Sequence, residues 1–227
     1  MARRPAATFR RQPTLASQHG SPLHRVGSTR PHHPKRLHMT RTGEIITTLV
    51  GTDADQELDG TTFSRCTLAG TDARGARLLD VTFEHSELSS VRIDGALLQA
   101  RFVASKIEGI NFFTARRELV SLSFENCLIR YCSLAELKLK ELRMVGCTLQ
   151  HVDLSDADLT RADLTGSTFE DCTFRNTTLT KADLRTARGY SIDPRINKVT
   201  GARFDLPEVL GLLDAFDIRV GWSENEE

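Results

Sequence analysis

Large apolar residues recur at every fifth position of this chain, a spacing that neither an α-helix of period 3.6 nor a strand of period two produces. Read backwards from Leu184, the series is Leu184, Leu179, Phe174, Phe169, Leu164, Leu159, Leu154, Leu149, Met144, Leu139, Leu134, Ile129 and Phe124. An earlier block in another phase runs Leu58, Phe63, Leu68, Ala73, Leu78, Phe83, Leu88, Ile93 and Leu98, with Phe102, Ile107 and Phe112 as a bridge. Ala73 is the one small residue among these 25 centres. The position two before each centre never carries a charge and holds Ala, Cys, Ser, Thr, Val, Leu or Gln in the two blocks. The other three positions are mostly charged, hydroxyl-bearing, Asn or Gly, so two residues in five face inward and three outward.

A chain that turns a corner after every five residues satisfies this pattern. Four such sides close one coil of 20 residues, and stacked coils pair backbone to backbone at about 4.8 Å. Each coil then buries its core against its neighbours alone, as solenoids do. The 25 sides predict an all-β solenoid, a right-handed quadrilateral β-helix of about six coils.

The period slips twice, by a four-residue step from Leu98 to Phe102 and a twelve-residue step from Phe112 to Phe124. The second slip predicts a bulge over Thr114–Val120, with Arg116, Arg117 and Glu118 as candidate partner contacts, because insertions between repeats collect on the working face. A tolerated surface insertion accounts for the same spacing.

After Arg188 the repeat signal fades. Asp205-Leu206-Pro207-Glu208 reads as a helix start with Asp205 as N-cap, and an α-helix to Phe216 would carry Val209, Leu210, Leu212, Leu213 and Phe216, with Leu206 as a further candidate cap or dimer contact. Ile218-Arg219-Val220 reads as a short strand followed by Trp222. Residues 189–227 are thus expected to cap the solenoid, to join two subunits, or both. Ile45, Ile46, Leu49 and Val50 are expected to form a first capping strand at the other end, so that the β-helix spans 43–188.

Charge adds an asymmetry. Lys+Arg and Asp+Glu balance at 30 each, yet residues 1–42 hold nine bases and no acid. This opening reads as a disordered basic tail or as sequence ahead of a natural start at Met39; a transit peptide and a functional arm are the alternatives. No apolar run is long enough to span a membrane as a helix.

Cys66, Cys127, Cys132, Cys147 and Cys172 all occupy the inward small position, where a free thiol behaves as a small apolar group. Cys127 and Cys147, one coil apart, are expected to stack, both reduced in a cytoplasmic setting. Asp153, Asp156, Asp158 and Asp163 look clustered but fall on three successive sides. No nucleophile, metal or cofactor motif is present, so no cofactor and no catalysis are expected.

Ala157-Asp158-Leu159-Thr160-Arg161, Ala162-Asp163-Leu164-Thr165-Gly166 and Ala182-Asp183-Leu184-Arg185-Thr186 match the A-(D/N)-L-x-x consensus, and over Gln56–Thr186 the chain resembles the pentapeptide-repeat family. Its Qnr- and MfpA-type members are rods of duplex-like width that mimic DNA, bind DNA gyrase or topoisomerase IV and confer quinolone resistance on bacteria. Qnr-type members also pair as homodimers through a C-terminal helix. The resemblance therefore offers topoisomerase modulation beside a second reading, a protein–protein interaction module of unassigned partner, and a third, an architectural rod. DNA mimicry needs a continuous acidic stripe. The outward residues here give patchy walls instead, one of them basic through Lys138, Lys140, Arg161 and Lys181 against Glu141 and Asp158. No wall combines bases with interleaved aromatics, so the rod is not expected to bind nucleic acid directly.

Overall fold

The computed structural model describes residues 39–49 and 58–218; the predicted tail through His38, and Val50, Gln56, Glu57, Val220 and Trp222, lie outside the described residues. Two parallel sheets of six strands each organise the chain. The first contains β1 (Thr40–Thr42), β2 (Thr62–Ser64), β4 (Arg77–Glu84), β6 (Leu97–Val103), β8 (Ser121–Glu125) and β10 (Arg143–Val145). The second contains β3 (Thr67–Ala69), β5 (Glu87–Ser89), β7 (Lys106–Glu108), β9 (Leu128–Arg130), β11 (Thr148–Gln150) and β12 (Thr168–Glu170). These sheets are two walls of an all-β solenoid of about six coils. Isolated bridges, such as Ser133 to Asp153 and Lys138 to Asp158, build the other two.

The registers are those of a 20-residue coil. Phe63 sits beside Phe83, and Phe124 beside Met144. All thirteen centres from Phe124 to Leu184 are buried, none more than 5% exposed. On the first wall the rings of Phe63, Phe83, Phe102 and Phe124 stack at 4.9, 5.2 and 5.1 Å. Arg41 takes the next place, its guanidinium 5.8 Å from the Phe63 ring.

What turns each corner is a residue two after the centre with positive φ. Arg65, Gly70, Gly75, Asp80, His85 and Ser90 begin a series that runs with the period to Lys181 and Thr186. Glycine tolerates this conformation and most L-residues resist it. Here it recurs because the backbone pairing between coils leaves the corner no other way to turn. The series omits Ala100 and Thr114, which are the two phase slips. At the first, β4 carries one extra residue between Leu78 and Val81 against β6. At the second, short 3-10 turns at Phe112–Thr114 and Arg117–Leu119 take up the two added residues.

The inward small position does more than fill space. The backbone N–H of Cys66 donates to Ser86 Oγ at 3.0 Å, and that of Ser86 to Ser105 Oγ at 3.0 Å. Lower in the same column the N–H of Cys127 donates to Cys147 Sγ at 3.5 Å and that of Cys147 to Ser167 Oγ at 3.0 Å. These side chains satisfy amide groups that the dry core would otherwise strand. Ser86→Ala is expected to cost about 1–3 kcal/mol, because the Cys66 amide is left unpaired. Ser86→Cys should recover part of that loss in urea unfolding, and equal loss in both variants would rule the explanation out.

Three expectations need correction. The first strand is Thr40–Thr42, inside the segment read as tail, whereas Ile45 is 81% exposed and only bridges Thr67. The five-residue wall is already running there, with Ile46 and Leu49 buried, so Ile45 faces outward.

Pairing also continues beyond Arg188, since Thr178 bridges Lys198 and Asp183 bridges Arg203. The centres continue in phase as Gly189, Pro194, Val199 and Phe204, whose first two members hid the repeat. Asn197 closes this turn: it is buried, its Oδ1 accepts from the Thr177 amide at 2.8 Å, and its Nδ2 donates to the Phe174 carbonyl.

The C-terminal helix is a 3-10 helix, Glu208–Phe216, and not an α-helix. Asp205 does not cap it with its side chain; Asp205 Oδ2 accepts from the Thr186 amide at 3.0 Å and serves the last corner of the wall.

Candidate functional site

With the interior filled, the outer walls are what the fold presents. Asp at the position before a centre has a fixed task there. Asp153, Asp158, Asp163 and Asp183 each accept a hydrogen bond from the backbone N–H two residues on, at 2.9 to 3.2 Å. This local bond favours the turn over a straight strand. Asp153, Asp158 and Asp163 thereby sit on three successive walls, with Asp183 one coil on from Asp163, and no group of three His, Cys, Asp or Glu among the described residues is arranged to hold a metal ion.

Arginines tie neighbouring coils together. Arg77 pairs Asp59 at 2.9 Å, Arg101 pairs Glu125 at 3.1 Å, Arg143 pairs Asp163 at 3.1 Å and Arg203 pairs Asp183 at 3.4 Å. On the second wall Arg130 donates to Gln150, which donates to Glu170 at 2.6 Å. At the adjoining corner the rings of Tyr131 and His151 stack at 4.9 Å, and His151 lies 3.8 Å from Asp171.

Hydrogen bonds from Arg74 hold the Asp72 carboxyl well below the usual carboxylate range. Hydrogen bonds from Arg185 lower Asp183, and those from Arg195 lower Asp193. Burial opposes ionisation of Asp158, but its bonds to Thr160 and the charge of Lys140 outweigh burial and lower it as well. A group whose folded pKa is depressed stabilises the fold above its unfolded pKa and loses that contribution as pH falls through the folded value. Stability is therefore expected to fall only below about pH 4, the ordinary carboxylate value. Urea midpoints at stepped pH check this, and midpoints that rise on acidification would contradict it.

The five thiols are free, four of them buried and Cys172 half-buried. Burial pushes Cys132 up to about 11 and raises Cys172. The neighbouring Cys127 thiol, together with burial, raises Cys147. These three thiols stay protonated and act as core, while the hydrogen bond with Cys147 lowers Cys127.

The predicted bulge is tied down. Arg116 Nε donates to the Gly95 carbonyl at 3.0 Å. Arg117 pairs Glu136 at 2.8 Å while its guanidinium lies 4.1 Å from the Phe113 ring. Glu118 and Leu119 are exposed. At the C-terminal end Val209, Leu210 and Leu213 are half-buried, and Leu206, Phe216 and Ile218 are exposed. No helix among the described residues is long and apolar enough to cross a membrane.

The sequence matches the pentapeptide repeat region family over residues 115–184 and the pentapeptide repeats (8 copies) family over residues 58–99. This chain is a pentapeptide-repeat protein. No curated protein matches it in sequence. Its fold is similar to that of full-length QnrB1, a plasmid-mediated fluoroquinolone resistance protein, at 15% identity and a TM-score of 0.55, covering 79% of this chain and 100% of QnrB1. A trypsin-treated QnrB1 variant gives 19% identity and a TM-score of 0.57, covering 81% and 98%. HetL, a pentapeptide-repeat protein of Nostoc sp. strain PCC 7120 involved in heterocyst differentiation regulation, aligns at 15% identity and a TM-score of 0.33, covering 72% of this chain and 82% of HetL.

Within this pentapeptide-repeat protein, three features escaped the sequence reading. Lys198 belongs to the basic wall but lies past the apparent end of the repeat. The corner positions carry Gly, Asn or Asp only half of the time, which blurs their signal. The Ser and Cys hydrogen-bond column was visible only as a 20-residue recurrence.

Proposed function

We propose that this protein is a non-catalytic interaction module whose flat outer walls bind a partner protein, in a reducing compartment such as the cytoplasm. The observation that carries the reading is the division of labour within each repeat. Centres and small positions close the core and the positive-φ residues turn the corners, so the remaining outward side chains stand in fixed rows on paired backbone. Such rows offer a pre-ordered surface that loses little side-chain and loop freedom on association. Domain limits follow the same division: a basic segment up to about residue 38, the walls, and a C-terminal segment.

A second reading, modulation of DNA gyrase or topoisomerase IV by DNA mimicry, is supported by the likeness of the fold to QnrB1. Against it stand the arginine–carboxylate pairs along the first wall, which neutralise carboxylates that a phosphate mimic needs bare. Purified protein is expected to leave gyrase supercoiling unchanged with or without a fluoroquinolone. Protection of the enzyme at micromolar protein would replace the first reading by the second.

The exposed Leu206, Phe216 and Ile218 also make the C-terminal end the place where two copies would join. Light scattering of the full chain distinguishes a dimer from a monomer, and a monomer assigns this segment to capping alone.

A further inference from the structure

The fourth wall differs from the other three in its charge. Four of the five described lysines lie on it, Lys138, Lys140, Lys181 and Lys198, together with Arg161 at its corner. All five are exposed. Lys140 pairs Asp158 at 3.5 Å and Arg161 pairs Glu141. Among the described residues Lys138, Lys181 and Lys198 have no carboxylate within ion-pair distance, in contrast to the arginines that lace the first wall. The hydroxyls of Thr178, Thr180 and Thr200 between them make no hydrogen bond among the described residues.

The bridges Lys138–Asp158, Asp158–Thr178 and Thr178–Lys198 place these cations over three coil steps, about 14 Å at the strand spacing. At its upper end the wall opens into a recess of about 90 Å³ between Val120, Leu122, Lys138 and Lys140. Five cations against Glu141 and Asp158 leave a net charge of about +3, enough to draw an oppositely charged segment from solution.

We propose that the fourth wall is the docking face for an extended acidic segment of a partner protein, an inference that rests on the interaction-module reading above. Charge complementarity selects the occupant. An extended segment of about five residues spans 14 Å and turns alternate side chains to the wall, so Asp or Glu at every second position meets Lys138, Arg161 or Lys181, and Lys198. The threonine hydroxyls between the lysines can donate to the same carboxylates. Single-stranded nucleic acid is the poorer match, because its bases bind by stacking on aromatic side chains and this stretch of wall has none.

A fluorescein-labelled Asp/Glu-rich peptide of about ten residues, titrated with the full chain at low and physiological ionic strength, tests the proposal by anisotropy. Binding should weaken as salt rises. Combining Lys138→Glu, Lys181→Glu and Lys198→Glu should weaken it at least about tenfold, with the circular dichroism spectrum unchanged. Arg65→Glu, Arg175→Glu and Arg188→Glu together, exposed cations on the other walls, should leave it within about twofold.

Absence of peptide binding, or equal loss in both triple variants, overturns the proposal. So does tighter binding of a single-stranded oligonucleotide that the lysine variant abolishes, or self-association lost in that variant, which would assign the wall to nucleic acid or to a second copy. Capture of lysate proteins separates this failure from that of the broader reading. Equal capture by wild type and lysine variant keeps the interaction module and discards this wall; no capture by either discards both.

Discussion

Phe102→Ala is expected to lower stability by about 3–5 kcal/mol, the range for removing a large aromatic ring from a packed core. Phe102 stacks on Phe83 at 5.2 Å and on Phe124 at 5.1 Å, and Phe112 meets it edge-on at 6.3 Å. Truncation therefore removes three ring contacts at once, each worth about 0.5–1.5 kcal/mol beyond area burial. The solenoid cannot close the void, because neighbouring coils are held at strand spacing by their own backbone bonds. Phe102→Leu refills much of the volume and should cost less. The check is the urea midpoint of both variants. A loss below about 1 kcal/mol for Phe102→Ala would mean that the coils collapse inward and that the stack is not rigid.

Gly189→Ala is expected to cost about 2–4 kcal/mol, from left-handed strain and overpacking together. Gly189 has φ of +69°, and a Cβ there would lie 2.5 Å from the Phe169 carbonyl oxygen. That oxygen belongs to backbone in the adjoining coil and cannot swing aside as a side chain would. Gly75 provides the control: its φ is +68°, but a Cβ would meet nothing within 4 Å. Gly75→Ala should thus show the strain alone, about 1 kcal/mol. Equal losses at the two sites would show that the conformation matters at Gly189 and the close approach does not.

These two sites stand for two kinds of information. That Phe102 is a core centre was legible from the order of residues, since apolar residues recur every five positions on either side of it. Its stacking between Phe83 and Phe124 was not, because a phase slip lies on each side. Nor was the significance of Gly189, because nothing in the local sequence announces that the chain passes against Phe169 twenty residues away. The same holds for Asp205, whose neighbours resemble a helix start. Its carboxylate serves Thr186 instead, a partner that only coil stacking brings near. The basic wall lay between these extremes. Lys138, Lys140, Arg161 and Lys181 could be sorted to one side by counting in fives. Lys198 joined them only once backbone bridges showed the repeat running on through Gly189 and Pro194.

By itself, the order of residues determined the five-residue side, the buried columns and the family likeness, because a period is a local property that repeats and so survives any single exception. Tertiary structure alone decided where the coils begin and end, how the two phase slips are absorbed, which amides the Ser and Cys side chains serve, and which lysines stand unpaired. Those features depend on contacts between residues about a coil apart, and they exist only once the coils are stacked.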